Sequence, residues 1–182
     1  MMNGQMTLAR RMGKTTHCSP LRFKLESLYR QADYASFQYL EDWLIALANH
    51  RGARVVVSPC PPANPLRFPS RRELGDEELV VALCQLNALD RPQMLRLAAQ
   101  LISRAQLDLE RIRRLAVLER AEPVLAELSR QALKVDARHP AWKAIHTWFG
   151  QRFSLPQPVL HWTRLAEPSL RMGRAHGWNL VK

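Results

Sequence analysis

The sequence predicts a mainly α-helical protein, either a compact bundle or a short stack of antiparallel helical hairpins, and three observations carry that prediction. Apolar residues recur at steps of three and four through five or six separate segments. Between Asp76 and Gly150, a capping residue or a proline restarts the pattern every 14–18 residues. One run alone, "RVVVS" at 54–58, has the composition of a strand, which gives a minor β element near 53–58.

Taken in chain order, residues 1–20 read as a flexible basic tail, with little apolar periodicity to pack. "LRFKLE" at 21–26 alternates well enough to serve as a partner strand for 54–58. From Asp33 to His50 the residues Phe37, Leu40, Leu44 and Leu47 form a stripe that Trp43 and Ala48 widen, so a helix is expected there, closed near Gly52. "PCPPANP" after the strand is a stiffened loop.

Asp76 then opens a helix bearing Leu79, Val80, Leu83 and Leu86, with Glu77 and Glu78 suited to its N-terminal dipole. Asp90 and Pro92 mark the next, with Met94, Leu95, Ala98, Leu101 and Ile102. Asp108 opens one with Leu109, Ile112, Leu115 and Ala116. Pro123 opens one with Val124, Leu125, Leu128 and Ala132, and Pro140 starts a last one ending at Gly150. Connections this short join neighbours that run nearly antiparallel. Beyond Gly150 the prolines at 156, 158 and 168 predict irregular wrapping, with a short strand at "PVLHW" or "WNLV" near the C-terminus. The expected organisation is one domain over 21–182, with a helical core at about 76–150 and a Pro/Trp-containing segment at 151–182. At 182 residues and 47% hydrophobic, one domain of this size buries about 70% of its unfolded surface.

The net charge of +11 is unevenly spread. Residues 76–135 carry nine basic and nine acidic side chains, whereas 1–30 carry six and one and 136–182 carry seven and two. Such a neutral middle is a self-compensated surface, and the basic excess belongs to the ends. Only five of the 27 basic residues are lysine, a bias that a GC-rich genome produces without selection for binding. The acid-free stretch from Met1 to Leu25 also has the composition of an organellar transit peptide, which is the alternative to a plain tail. No apolar run exceeds six residues, so no membrane association is expected, and three cysteines without a short pairing suit reduced thiols in the cytoplasm.

Candidate chemistry is sparse. "GKTT" at 13–16 lacks the earlier glycine of a phosphate-binding loop, since that position is Leu8, and neither a preceding strand nor a long following helix frames it. His139 and His146 share a face, but no HxxxH, HExxH or CxxC makes a metal signature, and no cofactor is expected. Cys60, between prolines, would be a nucleophile only if His161 or His176 were brought to it, which is the enzyme reading. Adjacent Glu41 and Asp42 point to different sides of their helix and read as surface. The segment Arg91–Ala121 has a helix-turn-helix outline, yet Asp108 and Glu110 would stand where phosphates approach, so it reads better as a core hairpin.

Four of five tryptophans fall in the last 47 residues among cations. Lys143, Arg152, Trp162, Arg164, Arg171, Arg174 and Trp178 therefore compose a nucleic-acid-binding alternative, in which bases stack on rings and cations follow phosphates. On a helical wheel, however, Trp142, Ile145, His146, Trp148 and Phe149 share one arc opposite Lys143 and Thr147, the pattern of a core face. The reading favoured by the whole sequence is a non-enzymatic cytoplasmic helical module that binds another protein.

Overall fold

A computed structural model describes residues 19–32, 37, 39–53, 67–85, 92–104 and 106–153. The protein is mainly helical: seven α-helices and one π turn make up the regular structure of these residues, and no strand is found among them. The proposed strand at 54–58, the C-terminal strand, the tail before Ser19 and the segment after Phe153 lie outside the described residues.

The first helix, α1 (Pro20–Gln31), corrects the expected strand at 21–26. Ser19 caps it through its hydroxyl, which accepts the Arg22 amide N–H at 2.9 Å, and Pro20 stands at the first helical position, where a missing N–H costs nothing. Leu21, Leu25 and Leu28 then fall on one helical face, with the first two buried. The next helix, α2 (Leu40–His50), begins later than the predicted Asp33 because Tyr39 is extended, at φ −133° and ψ 149°. It buries Trp43, Leu44, Leu47 and Ala48 as the stripe requires. Its end is a Schellman motif in which Ala53 N–H reaches Ala48 O at 3.0 Å, and Gly52 supplies the left-handed residue at φ +97°.

At the centre lies α3 (Asp76–Leu83), which is buried on every side from Glu78 to Leu83. A helix apolar all round must be surrounded, and α4 (Pro92–Arg104) and α5 (Leu109–Glu119) both pack on it, joined by α1 and α2. This corrects the Arg91–Ala121 hairpin: α4 and α5 are held chiefly through α3 and not by each other. The α3 N-cap is Gly75, so the predicted cap Asp76 is the first helical residue. At α5 the prediction holds, since the Asp108 carboxylate accepts the Arg111 amide N–H at 3.0 Å.

The chain then turns into α6 (Glu122–Val135) and α7 (Pro140–Ile145), which pack together, and the π turn His146–Gly150 continues α7 against α6. Trp142, Ile145 and Phe149 are buried while Lys143 and Thr147 are exposed, the arrangement that the helical wheel predicts. Trp142 donates its indole N–H to Ser103 Oγ at 3.1 Å.

The π turn depends on a glycine. A Cβ at Gly150 would stand 2.0 Å from Nδ1 of His146, far inside van der Waals contact. Gly150→Ala is therefore expected to destabilise the protein by about 1–3 kcal/mol in chemical denaturation, the range for overpacking. Adding His146→Ala should restore most of that loss, because it removes the ring that the new methyl meets.

Candidate interaction surface

Two buried carboxylates set the surface where α1, α3 and α5 meet. Glu119, the last residue of α5, is 5% exposed and reaches across to the start of α1. It accepts the Leu21 amide N–H at 3.0 Å, the Ser19 hydroxyl, and the Gln85 side-chain amide at 3.3 Å. A carboxylate at a helix N-terminus satisfies donors that the helix cannot satisfy itself, and the dipole favours its charge. Glu119 thereby fixes the first turn of α1 against the last turn of α5.

Glu78 does the corresponding work at the start of α3. Its carboxylate accepts the Gly75 amide N–H at 2.8 Å and both oxygens take Lys24 Nζ of α1, at 2.8 and 2.9 Å. Arg111 of α5 approaches at 3.6 Å. Burial opposes ionisation of Glu78, but the bonds from Lys24 and Gly75 and the nearby positive charges outweigh it, so its carboxyl sits below its ordinary value of 4.5. A depressed folded-state value adds stability that is present above the unfolded value and lost as pH falls through the folded one. Wild type should therefore exceed Glu78→Gln in melting temperature at neutral pH, and the gap should narrow only below about pH 4.5. A gap constant down to pH 3 would contradict this.

Three exposed large apolar side chains lie on the two helices that Glu119 joins. Phe23 is 76% exposed, one turn from the Ser19–Glu119 contact, and Val117 (56%) and Leu118 (47%) immediately precede Glu119. On the α5 wheel, Ile112, Ala116 and Glu119 turn inward, and Glu110, Arg113, Arg114 and Val117 occupy the opposite arc. Arg113 stands 5.3 Å over the ring of half-buried Trp148 and pairs loosely with Glu110 at 3.6 Å. The exposed surface of α5 is thus mostly charged, with Glu110, Arg111, Arg113 and Arg114 along it and Val117 and Leu118 in its last turn.

The sequence-predicted sites fare unevenly. Lys143 and Arg152 are exposed, as the nucleic-acid alternative requires. Trp162, Arg164, Arg171, Arg174 and Trp178 lie outside the described residues, as do Cys60, His161, His176 and the GKTT stretch. His139 and His146 do not converge: the first faces Ser103 O at 3.4 Å, the second Ser129 Oγ at 3.4 Å. No group of three metal-ligating side chains occurs among the described residues. Cys84 is fully buried, and that burial raises its thiol far above the ordinary value, leaving it protonated and inert. At the head of α5, the Asp108 amide N–H is taken by Glu77 at 3.0 Å, so carboxylates crowd the end at which a DNA-reading helix would meet phosphate.

Phe23, Val117 and Leu118 were not singled out by sequence reasoning. A signal existed for two of them, since Val117 and Leu118 fall off the stripe of Leu109, Ile112, Leu115 and Ala116. No family model matches the chain, and no curated protein or solved structure matches it either. No helix of the described residues is long and apolar enough to cross a membrane.

Proposed function

We propose that this chain is a non-enzymatic, cytoplasmic protein-interaction module that docks a partner at the α1–α5 junction, with its helices forming a compact bundle over a single domain. One observation carries the reading: Phe23, Val117 and Leu118 are large, apolar and exposed on the two helices that Glu119 ties together, and among the described residues only Tyr39 joins them as an exposed large apolar side chain outside the common core. Clustered exposed apolar side chains on a folded surface are the usual anchors of a protein interface. The central α3, surrounded on all sides, supports the bundle over the hairpin stack.

The test is a photocrosslinker in place of Leu118, as Leu118→benzoylphenylalanine, in cells expressing the chain, with Lys134→benzoylphenylalanine as the control on an exposed site elsewhere. Discrete protein adducts at 118, absent at 134 and lost when Phe23→Ser is added, are expected. Equal labelling at both sites, or none, would remove the reading.

The exposed cations Lys143 and Arg152 favour a second reading, nucleic-acid binding through the C-terminal segment. Contacts to phosphate release counterions, so log affinity for single-stranded DNA would fall with log salt by about 0.7–0.9 per contact. Retention that vanishes near about 0.15 M salt, where the Debye length is about 8 Å, would mark it as non-specific.

A further inference from the structure

Trp148 packs against the core but is only half-buried. Arg113 stands over its ring at 5.3 Å and pairs with Glu110 at 3.6 Å, so the charge immediately beside the ring is balanced. At about 100° per residue, Val117 falls about 40° from Arg113 on the α5 wheel, on the side of Trp148, and it is 56% exposed. Leu118 falls about 20° from Arg111, which reaches Glu78 and Lys24 and so faces α1 instead. From Trp148 a row of rings runs to the end of the described chain: Trp148 meets Phe149 edge-on at 6.3 Å, and Phe149 meets Phe153 at 6.1 Å. Arg130 holds Phe153 O at 2.9 Å. The chain therefore leaves the bundle from a fixed point, at the end of a row that leads back to Trp148, Arg113 and Val117.

We propose that residues 154–163 turn back along this row and cover Trp148 and Val117, as a strap that the chain lays on its own surface. These ten residues, "SLPQPVLHWT", contain no Asp, Glu, Lys or Arg and carry Leu155, Val159, Leu160 and Trp162. Such a stretch gains by leaving water, and the row of rings is the apolar surface that it meets first. Pro156 and Pro158 cannot continue a helix, and they favour an extended polyproline conformation that docks on aromatic rings with little further loss of entropy. At about 3.1 Å per residue the ten residues reach about 31 Å, farther than the row of rings and the one turn of α5 from Arg113 to Val117 together. Attachment and charge decide among the occupants. A tethered segment meets its site at an effective concentration in the millimolar range, which a second copy or a separate protein has to match from solution. The Arg113–Glu110 pair selects no partner of either sign, and the segment brings no ionised partner to it. The proposal goes beyond the partner reading, since it gives Val117 a cover from within the chain and leaves Leu118 and Phe23 open. A partner that also needs Val117 has to displace the strap.

The experiment places Val117→benzoylphenylalanine in the purified full chain, which is irradiated, digested and mapped by mass spectrometry. The main adduct is expected to join position 117 to a peptide within 154–163. In an equal mixture of isotopically light and heavy chains, both halves of that adduct should carry the same label. Leu118→benzoylphenylalanine should give severalfold less of it. Adding Val159→Asp/Leu160→Asp to the Val117 probe should also reduce it severalfold with circular dichroism unchanged, and the mapping on the unaltered segment stands without that variant. Adducts that pair a light half with a heavy half would overturn the strap in favour of a second copy. Adducts to any other part of the chain, no internal adduct, or equal yields from 117 and 118 would overturn it as well. The partner reading is tested by intermolecular adducts at 118 in cells, so the two fail separately.

Discussion

Replacing Trp142 with alanine is expected to cost the fold about 3–5 kcal/mol, the range for emptying a buried aromatic site. The indole is 1% exposed, lies where α7 meets α4, and leaves Ser103 Oγ without its donor when removed. A domain of ordinary stability holds only about 5–15 kcal/mol in total, so the variant should unfold at far lower denaturant concentration, with helical signal lost in one transition. Trp142 is one of four tryptophans that cluster near the C-terminus beside cations. The outcome assigns it to the core: a variant that folds normally and loses only nucleic-acid affinity would reverse that assignment.

Removing the Glu119 carboxylate should have the second largest effect, about 1–3 kcal/mol, because a buried amide N–H left without an acceptor forfeits the water it gave up on folding. Glu119→Ala strands the Leu21 N–H, the Ser19 hydroxyl and the Gln85 amide together. The loss should be local. Hydrogen exchange is expected to rise across 20–31 well before it rises in α3, since α1 loses its anchor on α5 while the α3 core keeps its own contacts. Glu119→Gln retains one acceptor oxygen and should fall between the two. Uniform acceleration of exchange across the chain would show that Glu119 supports the whole core instead of one helix.

How far the sequence led depended on how local each cause was. The starts at Pro92, Asp108, Pro123 and Pro140 were legible because caps and prolines act on the residues beside them. At 21–26 a two-residue alternation competed with a helical Leu21–Leu25–Leu28 spacing, and the deciding signal, Ser19 followed by Pro20, stood just upstream of the window. The hairpin reading of α4 and α5 failed for a tertiary reason: α3 is apolar all round, so it draws both neighbours to itself. The junction was not legible at all. Glu119 caps a helix that begins about a hundred residues earlier, and no pattern within a window of sequence pairs Ser19 with it. Lys24 and Glu78 are likewise joined across 54 positions.

The π turn at His146–Gly150 sets the register of the chain that follows it as well as its packing. Winding five residues where an α-helix would wind about four absorbs an additional residue without breaking the helix, and it rotates everything downstream by close to one residue step. Here that rotation lets Arg130 of α6 gather two carbonyls at once, Gly150 O at 2.6 Å and Phe153 O at 2.9 Å, while Phe153 meets Phe149 edge-on at 6.1 Å. Deleting one residue from this turn would keep a continuous helix and swing Arg152 and Phe153 away from Arg130. The length of five residues therefore works as a register setting that decides which two carbonyls the Arg130 guanidinium reaches.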